Sequence, residues 1–109
     1  MTLASEHCSN NAQALDDAAC AALLVQVPGW AIIDGKLQSS FGFKNYYETM
    51  AFVNALAWIS HQQDHHPDLM VSYKLCAVSY STHSAGGLSR NDFICAARAS
   101  ALAVQRAAP

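Results

Sequence analysis

Trp30-Ala31-Ile32-Ile33-Asp34-Gly35-Lys36-Leu37-Gln38-Ser39-Ser40-Phe41-Gly42-Phe43 reads as a β-hairpin. Trp30 to Ile33 is apolar and partly β-branched, which suits a strand. Asp34-Gly35 is the dipeptide favoured in two-residue type I′ turns, where both central residues need positive φ. Beyond the turn, Leu37, Phe41 and Phe43 share one face by the period of two, and Gln38, Ser40 and Gly42 share the other. A two-residue connection forces the strands antiparallel.

Helices flank the hairpin. Upstream, the alanine-rich stretch from Leu15 to Val25 is predicted helical. Asp16 and Asp17 lie in its first turn, where carboxylates suit the positive end of the helix dipole. Pro28-Gly29 ends it. Downstream, Asn45 with Glu48 three residues on approximates a capping box. The helix it opens is expected to run to about Asp64. Phe52, Leu56 and Ile59 form its apolar stripe, with Val53 beside it and Trp58 broadening it. It must stop near His65, because Pro67 pushes His66 out of the helical region. Val71 to Thr82 is the longest strand candidate. Cys76, Val78 and Tyr80 occupy one face, and Tyr73, Leu75 and Ala77 the other. Both faces are fairly apolar, so the sheet is expected to be covered on both sides, one of them by another subunit. Ser84 to Gly87 is a turn. Ser89 with Asp92 three residues on caps a closing helix whose stripe is Ile94, Ala97, Ala101 and Val104.

This order, α-β-β-α-β-β-α, predicts the α+β class: one domain, a four-stranded antiparallel sheet with three helices packed on one face. The domain is expected to span residues 14–109. Residues 1–13 are polar and read as a flexible N-terminal segment.

Composition narrows the function. The chain has 109 residues, of which 52% are apolar and only 13% charged, with a net charge of -2. That balance indicates a folded domain with a modest core. It lacks the basic face that nucleic-acid binding usually requires. The longest apolar run, Met50 to Ile59, is too short to span a bilayer. Cys8, Cys20, Cys76 and Cys95 show no CxxC spacing, and the N-terminus lacks the basic and apolar regions of a signal peptide. The expectation is a cytoplasmic protein with reduced thiols.

The chemistry concentrates in His61-Gln62-Gln63-Asp64-His65-His66-Pro67, which holds three of the five histidines. His83 follows in Ser81-Thr82-His83. Histidine ordinarily titrates near pH 6.5, so it can donate and accept protons near neutrality. His7 reads as a surface residue. His61 alone could be an exposed helix-end cation, His65 and His66 a polar helix exit, and His83 a strand end. Their joint occurrence favours a site. His61 and His65, four apart, share a helical face and are spaced as a zinc pair, with His83 as a possible third ligand. No Glu follows His61 as HExxH zinc chemistry would need. Proton transfer requires only two or three imidazoles around an organic substrate.

Taken with their spacing, these residues resemble the pterin-4a-carbinolamine dehydratases. The family signature has an anchor residue, three residues, His-His-Pro, then an aromatic, a later His and a final Asp. Here that is His61, three residues, His65-His66-Pro67, five residues, Tyr73, nine residues, His83, eight residues, Asp92. The resemblance extends to Pro28-Gly29-Trp30, Phe41-Gly42-Phe43 and Ala51-Phe52, covering about residues 15–105. The anchor, often Glu in the family, is His61, and Ser84 stands where Glu often follows the later His.

The resemblance implies dehydration of 4a-hydroxytetrahydropterin to quinonoid dihydropterin and water by general acid–base catalysis. No cofactor and no metal is implied. His65 and His83 would be the acid–base pair, with His66 polarising the pterin. His61, Asp64, Ser81, Thr82, Ser84 and Asp92 would complete the substrate-binding set, although Asp92 could serve only as a helix cap. Trp30 and Tyr73 read as core residues. The implied partners are a pterin, a second or further copies in a homodimer or homotetramer, and a functional link to an aromatic amino-acid hydroxylase. The alternative implied is a non-catalytic interaction module of the same fold, of the kind that stabilises a dimeric transcription factor.

Overall fold

The structure is a computed structural model and describes residues 2–107. Helix α1 (Asp17–Leu24) precedes strands β1 (Ala31–Ile33) and β2 (Lys36–Gly42). Helix α2 (Tyr46–Gln63) leads to strands β3 (Asp68–Val71) and β4 (Leu75–Tyr80), and helix α3 (Arg90–Ala107) closes the order. The four strands form one antiparallel sheet in the order β1-β2-β4-β3. The fold is the α+β arrangement that the hairpin and the flanking helices predict.

Local chemistry sets the element ends. The hairpin turns on Asp34 and Gly35, whose φ angles of 53° and 76° are both positive, as a type I′ turn demands. The Asp16 side chain accepts from the amide of Ala19 and so caps α1. The Asn45 side chain accepts from the amide of Glu48 and caps α2. At the other end of α2, Asp64 adopts the left-handed conformation (φ 50°, ψ 43°), and its amide donates to the carbonyls of Ser60 and His61. Asp tolerates this region better than most non-glycine residues.

The core lies between the sheet and the helices. Leu37, Cys76, Val78 and Tyr80 are buried on the covered face of the sheet. From α2, Thr49, Phe52, Leu56 and Ser60 pack inward. Phe52 is fully buried, its ring 5.1 Å from that of Phe41 and 5.0 Å from that of Phe43. Burying such a side chain is worth about 1.5–3 kcal/mol. Trp30 is buried, and its indole N–H donates to Ser100 at 2.7 Å. Ile33, Met70 and Leu75 stay exposed on the uncovered face of the sheet.

Four details differ from expectation. The region read as one strand from Val71 is a hairpin that turns at Ser72 to Lys74, with Ser72 donating to the carbonyl of Leu75. Tyr73 therefore sits in a turn rather than the core. It is 62% exposed and stacks on Tyr46 with centroids 6.3 Å apart. Helix α3 is rotated from its predicted stripe. Phe93, Ile94, Ala96 and Ala99 are buried while Ala101 and Val104 are exposed. Phe93 and Ile94, the large apolar residues near its start, set which face packs, with Ala96 and Ala99 following them inward. Finally, the polar residues at the N-terminus form a docked strap. Leu3 is buried, Arg90 makes a two-point ion pair with Glu6, and Arg98 donates to the Glu6 carbonyl.

Tyr80 brings a buried hydroxyl with no hydrogen-bond partner among the described residues, and burial pushes its pKa up. An unsatisfied buried donor costs about 1–3 kcal/mol. Tyr80→Phe should accordingly raise stability by about 1 kcal/mol. Urea denaturation measures this, and a loss of stability would show that the hydroxyl has a partner in solution.

Candidate functional site

The end of α2, the end of β4 and the start of α3 converge on one carboxylate. Asp92 is fully buried. Its Oδ2 accepts from the Thr82 hydroxyl at 2.7 Å and from the Ser89 amide at 2.9 Å. Its Oδ1 accepts from Nε2 of His65 at 2.6 Å. Thr82 has one hydroxyl proton, and it goes to Asp92. The 2.8 Å contact between the Thr82 and Ser89 hydroxyls therefore has Ser89 as donor.

Each partner reaches this point for a local reason. Ser89 immediately precedes α3, and Asp92 three residues later returns a bond to its amide, which is the cap the sequence suggests. The cap also leaves a second carboxylate oxygen free for His65. The left-handed turn at Asp64 reverses the chain, so the His65 amide donates back to the carbonyl of Ser60. His65 thus enters the fold while His66 stays exposed. Its ring lies nearly parallel to that of Tyr80, with 9° between planes and 5.9 Å between centroids. Tyr80 and Ser89 were not among the expected site residues. Tyr80 shares a strand face with Cys76 and Val78, and that periodicity marks it only as core.

Electrostatics favours a protonated His65. Burial of the ring disfavours its charged form, but the hydrogen bond it donates to Asp92 and the Asp92 charge outweigh this, helped by Cys8 and Asp64. The pKa of His65 is raised above the ordinary value. Because Nε2–H is committed to Asp92, Nδ1 is the nitrogen left to exchange a proton with a ligand.

The remaining expected residues lie nearby without joining this network. His83 is exposed at the start of a 3-10 turn, His83–Ala85, that Gly86 ends at φ 75°. Ser84 is exposed and Ser81 half-buried on the same connection. Asp68 pairs with Ser79 in the β3–β4 ladder. His66 lies just before β3 and Ser81 just after β4, so both belong to the same end of this antiparallel pair as Thr82 and His83. Asp64 is exposed. His61 is also exposed, with its ring stacked on Trp58 at 5.5 Å. The structure therefore gathers His65, Thr82 and Asp92 by direct bonds, places His66, Ser81 and His83 at the same edge, and leaves His61 on the outer face of α2. Among the described residues, no three His, Cys, Asp or Glu side chains converge as a metal ion would need. No described helix is long and apolar enough to cross a membrane.

The chain is similar to proteins of one family. The family model for pterin 4 alpha carbinolamine dehydratase matches residues 13–102. A Stenotrophomonas maltophilia protein is 61% identical over 93 residues, covering 84% of this chain and 80% of its own length. A Nitrosomonas eutropha protein is 60% identical over 76 residues, covering 70% of this chain and 67% of its own. Both are named for pterin-4-alpha-carbinolamine dehydratase. Among solved structures, a transcriptional coactivator/pterin dehydratase from Brucella melitensis superposes with a TM-score of 0.80 at 27% identity, covering 84% of this chain and 99% of that one. A pterin dehydratase-like RuBisCO assembly factor of the alpha-carboxysome superposes at 0.57 and 27% identity, covering 68% and 86%. With its family model spanning most of the sequence, the chain belongs to the pterin-4-alpha-carbinolamine dehydratase family.

Proposed function

We propose that the chain removes water from a 4a-hydroxytetrahydropterin with His65 as general acid and His83 as general base. Family membership makes it a hydro-lyase. The observation that carries the assignment of roles is the 2.6 Å bond between His65 and the buried Asp92. A carboxylate at that distance holds the imidazolium form, which is the form an acid needs. From Nδ1, His65 gives its proton to the hydroxyl on C4a as the C–O bond breaks. His83, exposed and with no side-chain hydrogen bond among the described residues, takes the proton from N5. The products are quinonoid dihydropterin and water, with no net redox change. His66, Ser81 and Thr82 line the same sheet end, and His66 polarises the pterin ring.

The rate should fall as pH rises through the raised pKa of His65, because the acid then loses its proton. Asp92→Asn removes the charge that sustains that pKa. The alkaline limb of kcat/KM should move to lower pH in this variant. A profile with that limb unmoved would take the acid role away from His65.

His61 stands outside the bonded network. His61→Glu should retain activity within a few-fold of the parent chain, since the ring contacts Trp58 and not the carboxylate. Steady-state kinetics tests this, and a loss comparable to that of His65→Ala would make His61 a participant.

In this reading the enzyme works in the cytoplasm and returns pterin to an aromatic amino-acid hydroxylase. The uncovered sheet face and the short edge strand β3 are where further copies would pair as a dimer or tetramer. Sedimentation of the pure chain reports the number. A second reading, an interaction module, draws on the two structural relatives, one a transcriptional coactivator/pterin dehydratase and the other a RuBisCO assembly factor. Turnover of a 4a-hydroxytetrahydropterin separates the two.

A further inference from the structure

The N-terminal strap brings a thiol to the back of the site. Glu6 is anchored by Arg90 and Arg98. The amide of Cys8 donates to Gln63, the last residue of α2, at 2.8 Å. Ser9 exchanges two bonds with Asn91, the neighbour of Asp92, at 2.9 and 2.8 Å. Between these ties, Sγ of Cys8 lies 3.5 Å from Sγ of Cys95 on α3. Cys8 is partly exposed, whereas Cys95 is fully buried. All of these strap residues precede the region that the family model matches.

We propose that Cys8 and Cys95 form a peroxide-sensitive dithiol whose disulfide staples the N-terminal strap to α3 beside His65 and Asp92. Contact geometry supports it first. The sulfurs must close by only about 1.5 Å to reach bonding distance. The moving partner is a strap held by hydrogen bonds, not the packed helix. The asymmetry of the pair supplies the chemistry. The hydrogen-bonding contact with Cys95 lowers the pKa of Cys8 against its partial burial; His65 and Arg98 add to the effect and Asp92 opposes it. The Cys95 thiol is pushed up by that same bond and by burial. Exposure assigns the roles: peroxide can reach the partly exposed Cys8, which is the nucleophile, while the buried Cys95 is the resolving thiol.

The step balances with hydrogen peroxide as oxidant. The Cys8 thiolate attacks one peroxide oxygen, the O–O bond breaks, and Cys8 becomes a sulfenic acid as hydroxide leaves. The Cys95 sulfur then attacks the Cys8 sulfur, the S–O bond breaks, and a second hydroxide departs. The two thiol protons convert both hydroxides to water. Two electrons pass from the thiols to the peroxide. A small-molecule thiol reverses the link by exchange.

The test uses the full chain, reduced and then treated with hydrogen peroxide at near-stoichiometric amounts. The intact mass should fall by two hydrogens and return with a small thiol. Tryptic cleavage leaves Cys8 and Cys20 on one peptide, so cleavage before Asp16 is needed to place the link on Cys8. Cys8→Ser and Cys95→Ser should each abolish the mass loss. Should Cys95→Ser fail to fold, Cys8→Ser decides alone, since its side chain is partly exposed. Exchange of the Cys8 and Ser9 amides should slow in the linked form. A link through Cys20 or Cys76, a sulfinic acid at Cys8 without a link, or unchanged amide exchange would overturn the proposal. None of these readouts depends on dehydratase activity.

Discussion

His65→Ala and His83→Ala should each slow dehydration by about 10²–10⁴-fold, the range one acid–base group usually supplies. The two losses arise differently. His65→Ala removes the proton donor and also strips Asp92 of a charge-assisted partner. His83→Ala removes an exposed side chain from a surface turn, so its fold should be unaffected. The double variant should lose little more than the worse single one if the two groups act in one concerted step, because such groups are strongly non-additive. The measurement is single-turnover loss of a 4a-hydroxytetrahydropterin, corrected for the uncatalysed rate. A His83→Ala protein that dehydrates at the parental rate would remove His83 from the chemistry.

Asp92→Ala should cost about 3–5 kcal/mol of stability, the penalty for breaking a buried charge-assisted pair from one side. The substitution leaves the His65 ring, the Thr82 hydroxyl and the Ser89 amide without their shared acceptor, and it uncaps α3. It also leaves a small cavity. The deficit should depend on pH. The folded state raises the pKa of His65, so the pair contributes its full stability below about pH 6.5, the ordinary histidine value. That contribution is lost as pH rises through the folded-state pKa. Urea midpoints at about pH 6 and about pH 9 should therefore show a larger gap between parent and variant at the lower pH. A gap below about 1 kcal/mol at both would mean that the network is solvated rather than buried.

The site shows why sequence spacing carries some roles and not others. Asn45 with Glu48 and Ser89 with Asp92 are local motifs, and both caps form where their spacing puts them. The second function of Asp92 is not local. Its partner His65 lies 27 residues away, and only the packing of α2 against α3 sets the two at bonding distance. Spacing at i, i+4 suggested that His61 and His65 act together. The left-handed turn at Asp64 separates them, because it ends the helix before His65 and carries that ring inward.

By itself the sequence determined the hairpin, the class, the order of elements and the family, since turn chemistry, period-two alternation, caps and motif spacing all act over a few residues. Asp34-Gly35 needs no distant help to make a type I′ turn. Only the tertiary structure decided which face of the alanine-rich α3 is buried. It also decided the break at Ser72 to Lys74 and the docking of the polar strap that brings Cys8 to Cys95. These outcomes depend on surfaces meeting across the fold. Small alanine side chains at positions 97 and 101 do not by themselves say which face is buried, and a polar strap is held by long-range partners such as Arg90, Asn91 and Gln63 that no local pattern announces.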